Sequence, residues 1–113
     1  MNKSNFFNIT RATSTITVDG MDGEIHCREL SAGTMGLLQK ESMESSGASE
    51  IAQLAIVLIG GVVDDKGKPM FTNADRPKLL DMTMKSLQVI SDEILKLTGL
   101  TNDDEGDDES PNE

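Results

Sequence analysis

The stretch from Val62 to Leu100, VVDDKGKPMFTNADRPKLLDMTMKSLQVISDEILKLTGL, decides the fold because it joins a tight turn to a long amphipathic segment. Residues 64–69, DDKGKP, have the composition of a turn. Thr72 or Asn73 is a suitable N-cap for a helix that carries Pro77 in its first turn. The stretch therefore predicts a turn followed by a capped helix.

The helix predicted after this turn has an apolar side that faces the core. At 100° per residue, one broad arc holds the apolar residues Leu79, Leu80, Met84, Leu87, Ile90, Ile94, Leu95 and Leu97. Gly99 stands where a left-handed C-cap belongs, with Leu100 just beyond for the usual hydrophobic contact. We expect one helix ending at Gly99 and bent near Thr83.

Met82 and Val89 are two apolar residues that lie outside this arc, on the polar side of the predicted helix. Isolated exposed apolar residues are common on protein surfaces and need no function. Alternatively, the seven-residue spacing forms a narrow stripe on which a partner helix docks. Met82 and Val89 are accordingly the candidate partner-binding residues of this sequence.

The segment that precedes this stretch begins with a hairpin pattern. Residues 14–19 (STITVD) and 24–29 (EIHCRE) alternate in polarity on either side of the turn Gly20-Met21-Asp22-Gly23. The alternation places Ile16, Val18, Ile25 and Cys27 on one face. An isolated hairpin is marginally stable, so we expect the following helices to cover that face.

The sequence predicts two further helices, one weakly and one strongly. Residues 31–44 contain Gly33 and Gly36 and predict a short helix at best, with Met35, Leu37, Leu38 and Met43 available for burial. Residues 42–49, SMESSGAS, have the composition of a linker whose last serine caps the next helix. Residues 51–59 are apolar on almost every side, which predicts a central buried helix from about Glu50 to Gly60, stopped at Gly60-Gly61.

The overall prediction is an α+β fold, mainly α, with an N-terminal β-hairpin and three to four helices. The 113 residues are enough for one domain with a small core. Only three aromatic residues are present, all Phe, so we expect the core to consist of Ile, Leu, Val and the seven Met. The predicted organisation is a flexible N-terminus at 1–13, one helical domain at 14–100 and a disordered acidic tail at 101–113.

Charge limits the classes of partner. The net charge is −10, and seven acidic residues without a base lie in residues 101–113, which leaves −3 for residues 1–100. A surface of this sign repels phosphate, so we expect no direct binding of nucleic acid. The tail lacks the spacing of a calcium loop and is too polar to order by itself. Its removal is expected to leave the fold intact.

Catalytic, metal and membrane functions have little support in the sequence. His26 and Cys27 are neighbours in a predicted strand, so their side chains point to opposite faces and do not form a nucleophile–base pair. Cys27 is the only cysteine, so the chain has no internal disulfide and a cytoplasmic location is the default expectation. Residues 54–59 form the longest apolar run, far short of a membrane span. We therefore expect no enzyme activity, no metal and no cofactor.

The chain resembles the small tail assembly chaperones of long-tailed, siphovirus-like bacteriophages. The resemblance rests on VVDDKGKPMF at 62–71, the capped helix start after it and KSLQVISDEILKLTGL at 85–100, before a polar tail. In the N-terminal half it rests on a strand pair that leads into Arg28-Glu29-Leu30-Ser31. These segments cover most of residues 14–100.

The resemblance implies a non-enzymatic role in virion assembly within the host cytoplasm. Members of this family bind the tape measure protein, keep it soluble and help recruit tail-tube subunits to it, and they are absent from the finished virion. The oligomeric state is left open by the sequence, self-association included. The alternative is an acidic inhibitor that mimics DNA and occupies a nucleic-acid-binding enzyme, which requires carboxylates ordered on a folded face.

Overall fold

The computed structural model describes residues 1–44 and 49–100, and within them the chain has the predicted α+β architecture. A short helix α1 (Lys3–Phe7) precedes strands β1 (Thr13–Ile16) and β2 (Ile25–Arg28). Helices α2 (Ala32–Glu44) and α3 (Ser49–Gly61) follow, and α3 runs directly into strand β3 (Val62–Val63). A 3-10 turn (Asn73–Asp75) then leads into helices α4 (Arg76–Leu80) and α5 (Met84–Thr98).

The N-terminal hairpin is confirmed, with strands slightly shorter than predicted. Strands β1 and β2 are antiparallel, and Ile16 lies opposite Ile25 while Ser14 lies opposite Cys27. Residues directly opposite each other share a face, so these side chains face the core together. Gly20 and Gly23 both adopt positive φ in the connection, which only glycine does at low cost.

Strand β3 was not predicted and turns the hairpin into a three-stranded sheet of order β1-β2-β3. Val62 pairs with Cys27 and Val63 with His26. Two residues are too few to show alternation, and both valines continue the apolar sequence of α3, so the pattern gave no signal. The turn after β3 is confirmed: the Asp64 side chain accepts hydrogen bonds from the backbone amides of Lys66 and Lys68, at 2.8 and 3.0 Å.

Helix α3 is the predicted central helix, extended by one residue at each end. It contacts α2, α4 and α5, and its buried side chains are Ala55, Val57 and Leu58. They pack with buried residues from β2, α4 and α5, among them Cys27, Leu79, Leu87, Ile90 and Ile94. The central position follows from a sequence that is apolar on almost every side.

The prediction that methionines form part of the buried core is wrong. The buried hydrophobic residues are Val, Leu, Ile, Ala and Cys, and no methionine is among those described. Met21, Met35 and Met82 are partly buried and pack against the edge of the core. These three unbranched, adaptable side chains therefore lie at the boundary between the core and the surface, where they can contact a binding partner.

The predicted stop at Gly60-Gly61 is confirmed, because α3 ends at Gly61, although neither glycine adopts the left-handed conformation of a C-cap. A Cβ atom on Gly61 would lie 2.5 Å from Cγ2 of Ile94 in α5, and one on Gly60 would lie 2.9 Å from Cγ2 of Thr34 in α2. Both distances are too short for real atoms. The two glycines allow α5 and α2 to approach the end of α3 closely, which is a packing role.

Helix α2 is longer than predicted and less buried. It spans 13 residues despite its glycines. The Ser31 hydroxyl accepts a 3.2 Å hydrogen bond from the Thr34 amide and caps its start. Of the four residues available for burial, Met35 and Leu38 are partly buried, whereas Leu37 and Met43 are 57% and 86% exposed. The helix propensity of the α2 sequence is too low to stabilise this helix alone, and contact with α3 supplies the remaining stability.

The predicted single C-terminal helix, expected to bend near Thr83, is divided there into α4 and α5, with residues 81–83 between them. Thr83 has extended backbone angles, and its hydroxyl accepts a 3.2 Å hydrogen bond from the Ser86 amide, so it is the N-cap of α5. The predicted cap at Thr72 is confirmed, with a reciprocal hydrogen bond from the Thr72 amide to Asp75 at 2.9 Å. The C-cap at Gly99 is also confirmed, with φ of 90°.

Helix α1 was missed in the N-terminal segment. The Asn2 side chain caps it through a 2.8 Å hydrogen bond from the Asn5 amide, and none of its residues is buried. Whether residues 1–13 are flexible stays a prediction. The cap predicted at Ser49 depends on a side chain outside the described part of the chain. The predicted acidic tail at 101–113 also lies outside it.

Candidate docking surface

Met82 and Val89, the candidate partner-binding residues, lie on different elements. Met82 lies in the break between α4 and α5, where its amide donates a 3.1 Å hydrogen bond to the Leu79 carbonyl. Val89 lies within α5, five residues beyond its first residue, Met84. The stripe along one continuous helix is therefore wrong, because the Thr83 cap interrupts the helix between them. Partner binding by either residue stays a prediction.

Met82 contributes to a recess between the hairpin turn and the C-terminal half of the chain. The recess has a volume of about 230 Å³. Its walls are apolar and include Met21 and Ile25 from the hairpin and Met70, Phe71 and Met82 from the later segments. Buried Leu58 and Ile90 also line it. This methionine-lined recess is suited to an apolar or aromatic side chain from outside.

Two carboxylates stand at the edge of the methionine-lined recess. Asp22 and Glu24, both exposed, are among its lining residues and belong to the hairpin connection. An apolar recess with an acidic edge favours a ligand whose apolar side chain is close to a positive charge.

Val89 borders a separate, smaller depression of about 180 Å³. The other lining residues are Thr17, Val18 and Asp19, which follow β1, and Lys85 and Ser86 on α5. Val89 is 41% exposed, so a part of its surface is available to a partner without any change in the fold.

Further exposed apolar side chains were not predicted as site residues. Leu37 and Met43 on α2 and Ile51 at the start of α3 are exposed, and Phe6, Phe7 and Ile9 are exposed near the N-terminus. The aromatic rings of Phe6 and Phe7 contact each other edge to face, with centroids 5.1 Å apart. One sequence feature indicates these residues: they are apolar but lie in segments without a clear helical or strand periodicity, so burial in the core does not explain them.

The strand arrangement confirms that His26 and Cys27 do not pair. Nδ1 of His26 lies 3.1 Å from Oγ1 of Thr15 on the face away from the core, and Nε2 lies 3.5 Å from an Asp65 carboxylate oxygen. Cys27 is fully buried on the core face. Burial, with a contribution from the Glu93 carboxylate, raises the pKa of the Cys27 thiol to about 11, so it is a protonated core residue at neutral pH.

Polar contacts attach β1 and the segment after β2 to α5. The Ser14 hydroxyl donates a 2.6 Å hydrogen bond to a Glu93 carboxylate oxygen. The Thr98 hydroxyl accepts a 3.0 Å hydrogen bond from the Leu30 amide and donates one of 2.8 Å to the Ile94 carbonyl. These bonds add polar contacts between distant parts of the sequence to the apolar packing of the sheet on α5.

Within residues 1–44 and 49–100, no cluster of three or more His, Cys, Asp or Glu side chains is arranged to hold a metal ion. In the same ranges no helix combines the length and the apolar character that a membrane crossing needs.

The fold and its surface define a small α+β domain that exposes apolar side chains on several sides and holds its one cysteine buried. Among solved structures, the chain is similar to the tail assembly chaperone of bacteriophage HK97, with a TM-score of 0.65 and 14% sequence identity. The similarity covers 88% of this chain and 92% of that chain. The two chains share a fold, so the resemblance inferred from the sequence is confirmed at the level of the fold. No protein-family model and no curated protein matches the sequence.

Proposed function

We propose that this protein is a phage tail assembly chaperone that acts in the host cytoplasm without enzymatic activity. Its main partner is the tape measure protein, which it keeps soluble and to which it helps recruit tail-tube subunits before leaving the assembly. The observation that carries the proposal is the fold shared with the HK97 chaperone over 88% of this chain. The sequence pattern at 62–100 supports it independently.

The surface suits this role because it combines exposed apolar side chains with acidic charge. Apolar groups such as Val89 and Leu37 offer contacts to the apolar face of a partner helix. The net charge of −10 opposes self-aggregation of the free protein. A protein of this kind covers the apolar surface of a partner while it remains soluble itself.

The alternative DNA-mimic reading gains no specific support from the described residues. A mimic needs carboxylates ordered on a folded face, and residues 1–100 carry a net charge of only −3. The remaining acidic residues lie in 101–113, outside the described part of the chain. Recovery of a basic DNA-binding enzyme, with no tail protein, from an infected-cell pulldown would favour this alternative.

Co-expression with the tape measure protein of the same phage tests the proposal. We expect the tape measure protein to move from the insoluble to the soluble fraction and to co-elute with this protein in size-exclusion chromatography. A folded chaperone that leaves its partner insoluble and elutes alone would contradict the proposal.

Val89 is the more exposed of the two predicted docking residues, and a substitution there tests whether it binds the partner. We expect Val89→Glu to weaken partner binding by about fivefold to tenfold, since an interface residue that carries binding energy contributes more than about 1 kcal/mol. The matched control is Gln88→Glu, which adds the same charge at the adjacent exposed position. Met82 is less suitable because it packs against the core. Equal affinities of the two variants, measured by titration calorimetry, would move the docking surface away from Val89.

A further inference from the structure

The inner wall of the methionine-lined recess is part of the hydrophobic core. Leu58, Val62 and Ile90 line the recess and are 1%, 3% and 2% exposed. A side chain that enters the recess therefore contacts the same residues that join α3, β3 and α5. Burial against such residues stabilises a complex, because it removes apolar surface from water on both partners.

The outer part of the recess consists of side chains that adapt to an incoming group. Met21, Met70 and Met82 line it, with Met70 49% exposed and the other two partly buried. Methionine is unbranched, and its sulfur makes favourable contacts with aromatic rings. Phe71 lines the same recess and offers edge-to-face contact to a second ring.

The volume of the recess suits one side chain. The recess measures about 230 Å³, and a cavity of about 150 Å³ already accommodates benzene. A phenyl ring fits, with room for the atoms that link it to a backbone, whereas a whole helix does not. Its size and lining therefore favour a single anchoring Phe side chain from a ligand.

The edge of the recess adds a preference for positive charge. Asp22 and Glu24 are exposed lining residues, and the part of the lining that the structure describes contains no Lys or Arg. A 3.0 Å hydrogen bond from the Met21 amide to the Val18 carbonyl holds the backbone next to Asp22. Two carboxylates without a base beside an apolar site attract a ligand that carries its own base.

We propose that the methionine-lined recess binds a short segment of a partner protein in which a Phe side chain stands next to Lys or Arg. The ring enters between the methionines, and the base pairs with Asp22 or Glu24. This inference rests on the proposed function, since it gives the chemistry of the segment by which a tail protein is held. The chain's own segment 101–113 is a poor occupant, because it has seven acids, no base and no aromatic residue.

An NMR titration of the purified full chain, labelled with ¹³C in the methyl groups of its seven methionines, tests this site. The probe is the acetylated and amidated peptide Gly-Lys-Phe-Lys-Gly. We expect saturable shifts of the signals of Met21, Met70 and Met82, which line the recess. The signals of Met1 and Met43, which are 97% and 86% exposed, should not change.

Two matched peptides separate the contribution of the ring from that of the charge. Gly-Lys-Ala-Lys-Gly lacks the ring and should bind at least about tenfold more weakly, because it loses the burial of a Phe side chain. Gly-Glu-Phe-Glu-Gly keeps the ring and should bind about tenfold more weakly, because attraction to the carboxylates becomes repulsion. An Ala peptide or a Glu peptide that binds as tightly as the probe would overturn the proposal.

Neutral variants of the recess edge test whether Asp22 and Glu24 attract the base. Asp22→Asn with Glu24→Gln should lower the affinity for the Lys-Phe-Lys probe by about threefold to tenfold. The matched control, Glu50→Gln with Asp92→Asn, removes the same charge at two exposed positions outside the recess and should change the affinity by less than about twofold. Equal losses in the two variants would show attraction to net charge alone and overturn the pairing.

A substitution in the wall tests the apolar contact. Met70→Gln should lower the affinity for the probe by about threefold or more, because a polar amide replaces an apolar group at the recess. Met43→Gln makes the same change on α2 and should have no effect. Both methionines are exposed, so circular dichroism is expected to show folded variants. Equal affinities of the two variants would overturn the role of the recess wall.

The titration and the co-expression experiment fail separately. Peptide binding at the recess beside an insoluble tape measure protein would keep the recess as a binding site and contradict the proposed function. A soluble, co-eluting tape measure protein, whose complex neither excess probe nor Asp22→Asn with Glu24→Gln weakens, would support the proposed function and overturn the recess as its docking site. Recess methionine signals that shift with protein concentration, without peptide, would assign the recess to a second copy and overturn the proposal.

Discussion

Helices α2 and α3 have the same length, 13 residues, and lie side by side, yet they make opposite use of their apolar residues. Helix α3 buries Ala55, Val57 and Leu58 in the core. Helix α2 leaves Leu37 and Met43 exposed. The difference teaches that α3 and the elements packed on it determine stability, whereas Leu37 and Met43 of α2 are available for binding without a structural cost.

The α3 side of this comparison is tested most severely at Ile94. This α5 side chain is 0% exposed and contacts the end of α3. We expect Ile94→Ala to lower the free energy of unfolding by about 3 kcal/mol, since it loses apolar contacts and leaves a cavity. Urea denaturation followed by circular dichroism measures the change. A loss below about 1 kcal/mol would show that this contact is not central to the fold.

A pair of glycine substitutions compares the two helices directly. We expect Gly61→Ala in α3 to cost about 2 kcal/mol, because the new Cβ would lie 2.5 Å from Cγ2 of the buried Ile94 side chain. Gly36→Ala in α2 meets nothing within 4 Å and should stabilise by roughly 0.5–1 kcal/mol through helix propensity. Thermal unfolding of both variants is the measurement. A Gly61→Ala variant at least as stable as the wild type would contradict the packing role assigned to Gly61.

The core around α3 also predicts a dependence on alkaline pH. The pKa of Cys27 is raised from 9.0 to about 11, so the folded state holds the thiol proton more strongly than the unfolded state does. The stability from this group is present below pH 9 and is lost as the pH rises through about 11. Urea midpoints at pH 8 and pH 10.5 should differ more for the wild type than for Cys27→Ala. Parallel pH profiles for the two proteins would show that the buried thiol is not the cause.

The α2 side of the comparison predicts the smallest change in stability. Leu37→Ser with Met43→Ser should alter the free energy of unfolding by less than about 0.5 kcal/mol, as expected for exposed positions. A clear loss of stability would show that these side chains belong to the fold. Partner affinity of the same variant, compared with Val89→Glu, shows whether α2 or the Val89 depression contributes more to docking.

The sequence predicted the elements whose signal is local and strong. The hairpin follows from alternation around Gly20 and Gly23, α3 from its continuous apolar run, and the end of α5 from Gly99. The shared fold with a tail assembly chaperone was also inferred from residues 62–100.

The remaining features depend on contacts that no local pattern encodes. Strand β3 exists because Val62 and Val63 pair with β2, from which helices α2 and α3 separate them in sequence. Helix α2 forms against α3 despite Gly33 and Gly36. The break before α5 depends on the Thr83 side chain bonding the Ser86 amide in place of helix continuation, a competition that composition does not decide. That break is also the reason why Met82 and Val89 do not share one helix.

We propose, as set out above, that this small acidic domain protects an aggregation-prone tape measure protein by covering its apolar surface. The most direct measurement is light scattering after the denatured tape measure protein is diluted into buffer with increasing amounts of this protein. We predict that scattering falls to baseline at a stoichiometric ratio and that Val89→Glu requires more protein than Gln88→Glu to achieve it. Scattering that is unaffected by excess folded protein would contradict the account.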